Sequence, residues 1–187
     1  EGHESYMAYS HLGSYGSQLN LLKIGNKTDV YLHGLKTRLL DRHGFGSKHV
    51  TQKLIQQIKE INPDAIGLHN IHGYYINIDV LFNYLKEAGK PVIWTLFDCW
   101  PFTGHCSYYD FANCNKWKTG CYECPEKKMY PASWVLDNSK SNYALKSEIF
   151  NGVKNLTVVT HSNWLAEQVN QSFLSDYPVS IINNAVN

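Results

Sequence analysis

Four of the five cysteines crowd into one stretch, "HCSYYDFANCNKWKTGCYEC" (105–124), with the spacing C-x7-C-x6-C-x2-C. Four thiolates are the usual complement of a closed structural zinc site, and a C-x2-C pair offers two ligands from a single turn. Only one such pair is present, so three readings stay open. Cys106, Cys114, Cys121 and Cys124 could hold a structural Zn2+, pack as reduced thiols, or close two disulfides. An iron–sulfur cluster would also accept four thiolates, but no redox step is suggested elsewhere. Cys99 stands apart, at the end of an apolar run. A second group of chemically capable residues follows three apolar runs: "LHNIHGYY", "TLFDCWPFTGHC" and "THSNW". They contain His69, Asn70, His72 and Gly73, then Asp98, Thr103, Gly104 and His105, then His161, Ser162 and Asn163. Imidazoles and carboxylates are the side chains that orient hydroxyls and move protons near neutral pH.

The elements that must position these residues alternate strand and helix. Residues 5–10 form a short β-type run before a glycine–serine loop. "TDVYLHGLKTRLLDRHG" spaces Val30, Leu32, Leu35, Leu39 and Leu40 as a helix that stops at His43-Gly44. "SKHVTQKLIQQIKEINPD" predicts a helix capped by Ser47, with Val50, Leu54, Ile58 and Ile61 on one face and Pro63 beyond its end. Residues 64–70, 91–98 and 155–162 read as buried strands, and 177–187 as a last one. Helices are expected in "NIDVLFNYLKEAGK", "SKSNYALKSEIFNG" and "NWLAEQVNQSFL". This rhythm predicts an α/β fold: a Rossmann-like parallel sheet with helices on both faces, interrupted by a cysteine-rich loop insertion at about 99–130. In such sheets ligands bind beyond the carboxyl ends of the strands. The three polar segments therefore converge on one edge.

The 187 residues suggest one domain, and a net charge of +1 gives no electrostatic reason to expect nucleic acid as a partner. No apolar run approaches the roughly 20 residues that span a bilayer. Neither G-x-G-x-x-G nor G-x-x-x-x-G-K-S/T is present, which removes the usual support for phosphate-loop chemistry. G-x-S-x-G and H-E-x-x-H are also missing. Trp94 is expected in the core. Trp100, Trp117, Tyr74 and Tyr75 either stack on a ligand or pack under the cysteine loop. His3, His11, His33, His43 and His49 read as surface or packing residues.

The stretch "HNIHGYYINIDVLFNYLKEAGKPVIWTLFDCWPFTGHC", with "CNKWKTGCYECP", "YPASW", "VVTHSNWLAEQVNQSFL" and "YPVSIINNAVN", resembles the amino-terminal half of bacterial glycosyltransferases of family 4, in the branch that builds capsular and exopolysaccharides. The resemblance covers nearly the whole chain. It implies a GT-B architecture of two Rossmann-like domains across a cleft, with this chain as the single, incomplete, acceptor-side domain. It also implies that a strand, a glycine loop and a helix precede "EGHE", and that residues 184–187 stand at the hinge to a donor-binding domain with paired glutamates. The activity implied is retaining transfer of a sugar from a nucleotide-sugar donor to a glycan or lipid-linked acceptor, with no catalytic metal. The setting implied is cytoplasmic, at or near the inner face of the membrane. A reducing cytosol weighs against the disulfide reading of the cysteines. Carried over by position, His69, Asn70, His72, Gly73, Thr103 and Gly104 bind substrate, Ser162 and Asn163 join them on the edge, and Asp98 and His105 are the catalytic candidates. One departure stands out. Many relatives read T-L-H-D where this chain has Thr95-Leu96-Phe97-Asp98, and Phe97 cannot hydrogen-bond or carry a proton. Either Asp98 or His105 takes over that role, or activity is altered. A milder departure at the family's hinge, Ala185 for Gly and Asn187 for Asp, points the same way. A non-catalytic carbohydrate- or partner-binding module built on the same fold is the alternative.

Overall fold

The computed structural model describes residues 2–10 and 20–184. The glycine–serine loop, His11 and the hinge positions Ala185 and Asn187 lie outside the described residues.

Two short strands, β1 (Tyr6–Tyr9) and β2 (Asn20–Lys23), form a parallel pair of their own. The main sheet has four parallel strands in sequence order: β3 (Ile66–His69), β4 (Val92–Leu96), β5 (Leu156–Thr160) and β6 (Val179–Ile181). Its register aligns Leu68, Trp94, Val158 and Val179 across the sheet. Helices α1 (Lys27–Leu40), α2 (Lys48–Ile61), α3 (Ile78–Ala88), α4 (Ser139–Phe150) and α5 (Asn163–Asn170) separate the strands. The Rossmann-like α/β expectation is borne out.

Alternation along β4 sends Val92, Trp94 and Leu96 to one face, all nearly fully buried. There Trp94 meets Phe82 of α3 at 5.1 Å and Phe150 of α4 at 4.9 Å, and the two phenylalanines touch each other at 4.6 Å. This triad welds α3, β4 and α4 into one core, since packed aromatic pairs stabilise beyond their buried area. On the other face of the sheet, Ile93 is half exposed and Gly67 is open. Strand β3 is the edge among the described residues, and only Leu68 of its four residues is fully buried.

Helix α1 differs from its expected pattern. Leu32, Leu35, Leu39 and Leu40 are exposed, and the buried face is His33 and Thr37. The helix stops at Asp41, in the left-handed region, before His43-Gly44. Ser47 occupies the N-cap position of α2 but makes no side-chain cap. Its hydroxyl serves His33 instead.

His33 explains this polar interface. Its Nε2 accepts the N–H groups of Gly44 (3.1 Å) and Gly46 (3.2 Å), while Nδ1 faces Ser47 Oγ at 2.9 Å. Two backbone donors fix the tautomer with its proton on Nδ1. The ring lies so close to Gly46 that a Cβ there would stand 2.5 Å from Cδ2. Protonating Nε2 would set a donor against two donors. Burial first, then the Lys36 charge, pull His33 down from 6.5 to about 4.

Residues 97–138, between β4 and α4, contain only three 3-10 turns: Trp100–Phe102, Asp110–Ala112 and Lys116–Lys118. The segment nevertheless has its own small core, in which Trp117 stacks on Tyr109 at 4.8 Å and meets Phe102 at 5.3 Å. Trp100 and Trp117 are both buried, so the packing alternative holds for them. The far end of the segment caps α1. Trp134 and Leu136 donate their N–H groups to the carbonyls of Arg38 and Leu39, and Asn138 Nδ2 donates to Leu40. These are carbonyls that a helix end leaves without partners.

The His33 geometry sets an acid limit on stability. Between pH 6.5 and about 4 the unfolded chain binds a proton that the folded chain refuses. Stability is therefore full above 6.5 and falls as pH drops toward 4, by up to about 3 kcal/mol. Buried His43, whose pKa is also depressed, adds a change of the same sign. Urea denaturation at stepped pH should show this slope, and a His33→Gln variant, whose amide oxygen can accept the same N–H groups, should lose part of it.

Candidate functional site

Because β3, β4 and β5 are parallel and adjacent, their carboxyl ends lie side by side. His69 ends β3, Phe97 follows β4, and His161 follows β5. The three rings form a row: Phe97 lies 6.3 Å from His69 and 5.0 Å from His161. Phe97 is 52% exposed, with Trp164 and Ile182 also open nearby in sequence to β5 and β6. His161 Nδ1 donates to the Ile182 carbonyl at 2.7 Å, which ties the row to the chain leaving β6.

One residue further along, Asp98 turns inward. Its Oδ1 accepts the Trp100 N–H at 2.9 Å, a local turn that fixes the carboxyl group. Its Oδ2 lies 3.1 Å from His72 Nε2. His72 stacks over Trp100 at 4.9 Å, and its Nδ1 faces the Tyr130 hydroxyl at 3.5 Å. Tyr130 also donates to the His72 carbonyl at 3.3 Å. Burial pushes the Tyr130 phenol up, so it remains a donor. The Asp98 carboxyl group at Nε2 fixes a His72 proton on that nitrogen. Asn70, His72, Phe97, Asp98 and Pro101 wall a shallow cleft at the ends of β3 and β4.

The turn after β3 shapes this wall. Asn70 and Tyr74 both adopt positive φ (45° and 61°), a conformation that costs energy unless the surroundings hold it. The Tyr75 hydroxyl closes the turn on the Asn70 carbonyl at 2.8 Å. Gly73 lies within it, where a Cβ would stand 2.9 Å from the Tyr75 ring. Asn77 then caps α3 by accepting the Val80 N–H.

The structure thus sets Asn70, His72 and Asp98 in the wall of one cleft, with His69 beside Phe97 and Gly73 in the adjoining turn, and Ser162 and Asn163 at the end of the neighbouring strand. Ser162 caps α5 through the Leu165 N–H at 3.2 Å, and exposed Asn163 opens that helix. Thr103, Gly104 and His105 are placed elsewhere. All three are buried, which corrects their placement on the open edge. Thr103 Oγ1 donates to the Cys106 carbonyl. A Cβ at Gly104 would collide with the Ser139 carbonyl and stand 2.7 Å from Cys121 Cβ. His105 Nδ1 is 2.5 Å from Asp41 Oδ1. Burial opposes charge on His105, but the Asp41 hydrogen bond and charge outweigh it and raise the pKa. Of the two candidates to compensate for Phe97, only Asp98 reaches the cleft. Tyr130, which backs His72, carries no spacing signal because it arrives from the far end of the 97–138 segment.

No protein-family model matches the chain, and no solved structure matches it. Among curated proteins, the chain is 29% identical over 156 residues to WcaC of Escherichia coli (strain K12), whose name assigns it provisionally as a colanic acid biosynthesis glycosyl transferase. The match covers 80% of this chain and 37% of WcaC, so the chain spans well under half the length of that relative. A match of this extent cannot miss the middle of the chain, where β3, β4 and the cleft lie. No helix among the described residues is long and apolar enough to cross a membrane.

The burial of Gly104 makes a direct prediction. Gly104→Ala should lower stability by roughly 1–3 kcal/mol through overpacking against Ser139 and Cys121. The denaturant midpoint checks this, and ligand binding at the cleft should be unchanged in the folded fraction.

Proposed function

We propose that this chain is the acceptor-side half of a retaining GT-B glycosyltransferase that moves a sugar from a nucleotide-sugar donor to a glycan or lipid-linked acceptor. The observation that carries the reading is the Asp98–His72 pair at the carboxyl ends of parallel strands, in a chain similar to WcaC across its middle. Asp98 has both oxygens oriented from within the protein, one by the Trp100 N–H and one by His72. A carboxyl group held this way can receive the hydrogen bond of an acceptor hydroxyl and present the oxygen in one direction. Phe97 offers an apolar ring to the C–H face of a sugar, with His69 and Asn70 as polar rim groups. No step requires a metal.

The donor half, with its phosphate-binding groups, would come from a facing domain. The setting expected is the cytoplasm, with the acceptor presented at the membrane. A non-catalytic carbohydrate-binding module is the second reading, and the observation favouring it is Phe97, which leaves the rim without the hydrogen-bonding group of the relatives.

The test uses the full-length protein containing this chain, assayed for sugar transfer from a panel of nucleotide sugars to cell-derived glycan acceptors. Asp98→Asn should lower kcat by roughly 10²–10⁴-fold while leaving the fold intact by circular dichroism. Phe97→Ala should act mainly on acceptor KM. Glycan binding without turnover of any donor would favour the module, and neither binding nor turnover would remove both readings.

A further inference from the structure

The four clustered cysteines converge in the folded 97–138 segment. Cys106, Cys114, Cys121 and Cys124 line one small cavity together with Tyr109, Trp117 and Tyr122. All are free thiols, and the Cys106 thiol hydrogen-bonds Cys124. Backbone donors already address two of the sulfurs. Cys121 Sγ accepts the Gly104 N–H at 3.2 Å, and Cys124 accepts from Glu126. Such N–H···S bonds favour the thiolate. Glu123, inside the C-x2-C turn, has the positive φ (44°) that lets the chain reverse and present both flanking sulfurs to one side.

The surroundings carry charge of both signs, since Asp41 meets His105 and Asp137 Oδ2 accepts the Cys124 N–H at 2.7 Å. Lys146 is fully buried, and its Nζ bonds only carbonyl oxygens, Trp100 at 2.8 Å and Thr103 at 3.1 Å, while lying 3.4 Å from the Trp100 ring centroid. Cys121 and Cys106 are among the groups whose charge would stabilise it. Two further polar atoms, the Trp117 Nε1 donor in the cavity wall and His105 Nε2 beside Cys106, are buried without partners. A buried amine and unpartnered polar atoms around four thiols can face a negatively charged centre.

We propose that Cys106, Cys114, Cys121 and Cys124 bind one Zn2+ as a structural tetrathiolate centre. Each Zn–S bond replaces an S–H bond and releases its proton to solvent, so the filled centre carries two negative charges beside Lys146 and His105. Among the described residues no three ligand-type side chains are already set as a cage around one point. The thiols stand as a relaxed hydrogen-bonded cluster, and closing on the ion asks for cysteine side-chain rotation at positions that, Cys106 apart, are only half buried. The centre holds the segment beside the cleft and takes no part in the transfer reaction. Its test therefore does not depend on the function proposed above.

The protein is prepared under reducing conditions without added metal, and zinc and native thiols are counted together. The expected result is about one zinc per chain, with four thiols that react only after chelation. Cobalt exchange of the unaltered protein should give the intense visible bands of tetrahedral tetrathiolate Co2+, a readout that survives if variants fail to fold. Cys114→Ser and Cys124→Ser should reduce the metal to near zero, and Cys99→Ser should keep it. Chelation should raise amide exchange in residues 105–130 before it reaches β4 and β5. Metal-free protein with four thiols reactive in the native state, two disulfides by mass spectrometry, or iron in place of zinc would each overturn the proposal.

Discussion

One buried carboxylate, Asp41, joins the parts of the molecule that have no regular structure to share. It is 1% exposed and lies just past α1 in the left-handed conformation. One oxygen meets His105, the other accepts the Asn138 N–H at 2.8 Å, and its own carbonyl accepts from Asn142 at 2.6 Å. The end of α1, the start of α4 and the beginning of the cysteine cluster therefore meet at one residue. A buried pair of this kind gives little net stability compared with apolar packing, but removing one partner strands the other charge. Its consequence here is geometric. It fixes residues 97–138 against α1 and α4, and so fixes Trp100 and Tyr130, the two aromatic supports of His72.

The cleft depends on this support as much as on the sheet. Parallel register sets His69 level with Thr95 and Leu96 level with Thr160, so Phe97 and His161 leave the sheet together two positions beyond His69. It does not aim Asp98 at His72. That requires the Trp100 N–H on one oxygen and a stack on the Trp100 ring beneath the imidazole. Trp100 itself is anchored from behind by Lys146, which bonds its carbonyl and lies against its ring. The polar pair at the surface thus rests on a buried column that also borders the cysteines.

The strands and helices were legible in the sequence because each main element is a short apolar run or an amphipathic period bounded by Asn, Gly or Pro. Asn77 and Gly89 bracket α3 as capping rules require, and Pro91 and Gly152 stand before β4 and β5. The convergence of His69, His72 and Asp98 on one edge followed from parallel strand order alone. The α1 leucines misled because their period is helical while the buried partners on that helix are His33 and Thr37. Thr103, Gly104 and His105 were misplaced because their nearness to Asp98 in sequence suggested nearness to the cleft. The turn at Trp100–Phe102 carries the chain inward between them. Tyr130 and Lys146 gave no signal at all, since their roles arise from contacts across long sequence separations.

The row at the strand tips then explains what Phe97 changes. A histidine in its place would stand between two other imidazoles at 6.3 and 5.0 Å, where protonation of any one would oppose protonation of the next. A phenyl ring removes that coupling and leaves an uncharged, half-exposed surface. Polar selection is thereby withdrawn from the outermost row to the Asp98–His72 pair set behind it. Under the proposed transferase function, such a rim would grip through ring faces and orient through a single carboxyl group, so changes at Phe97 and at Asp98 should separate binding from chemistry where a histidine would have blended them.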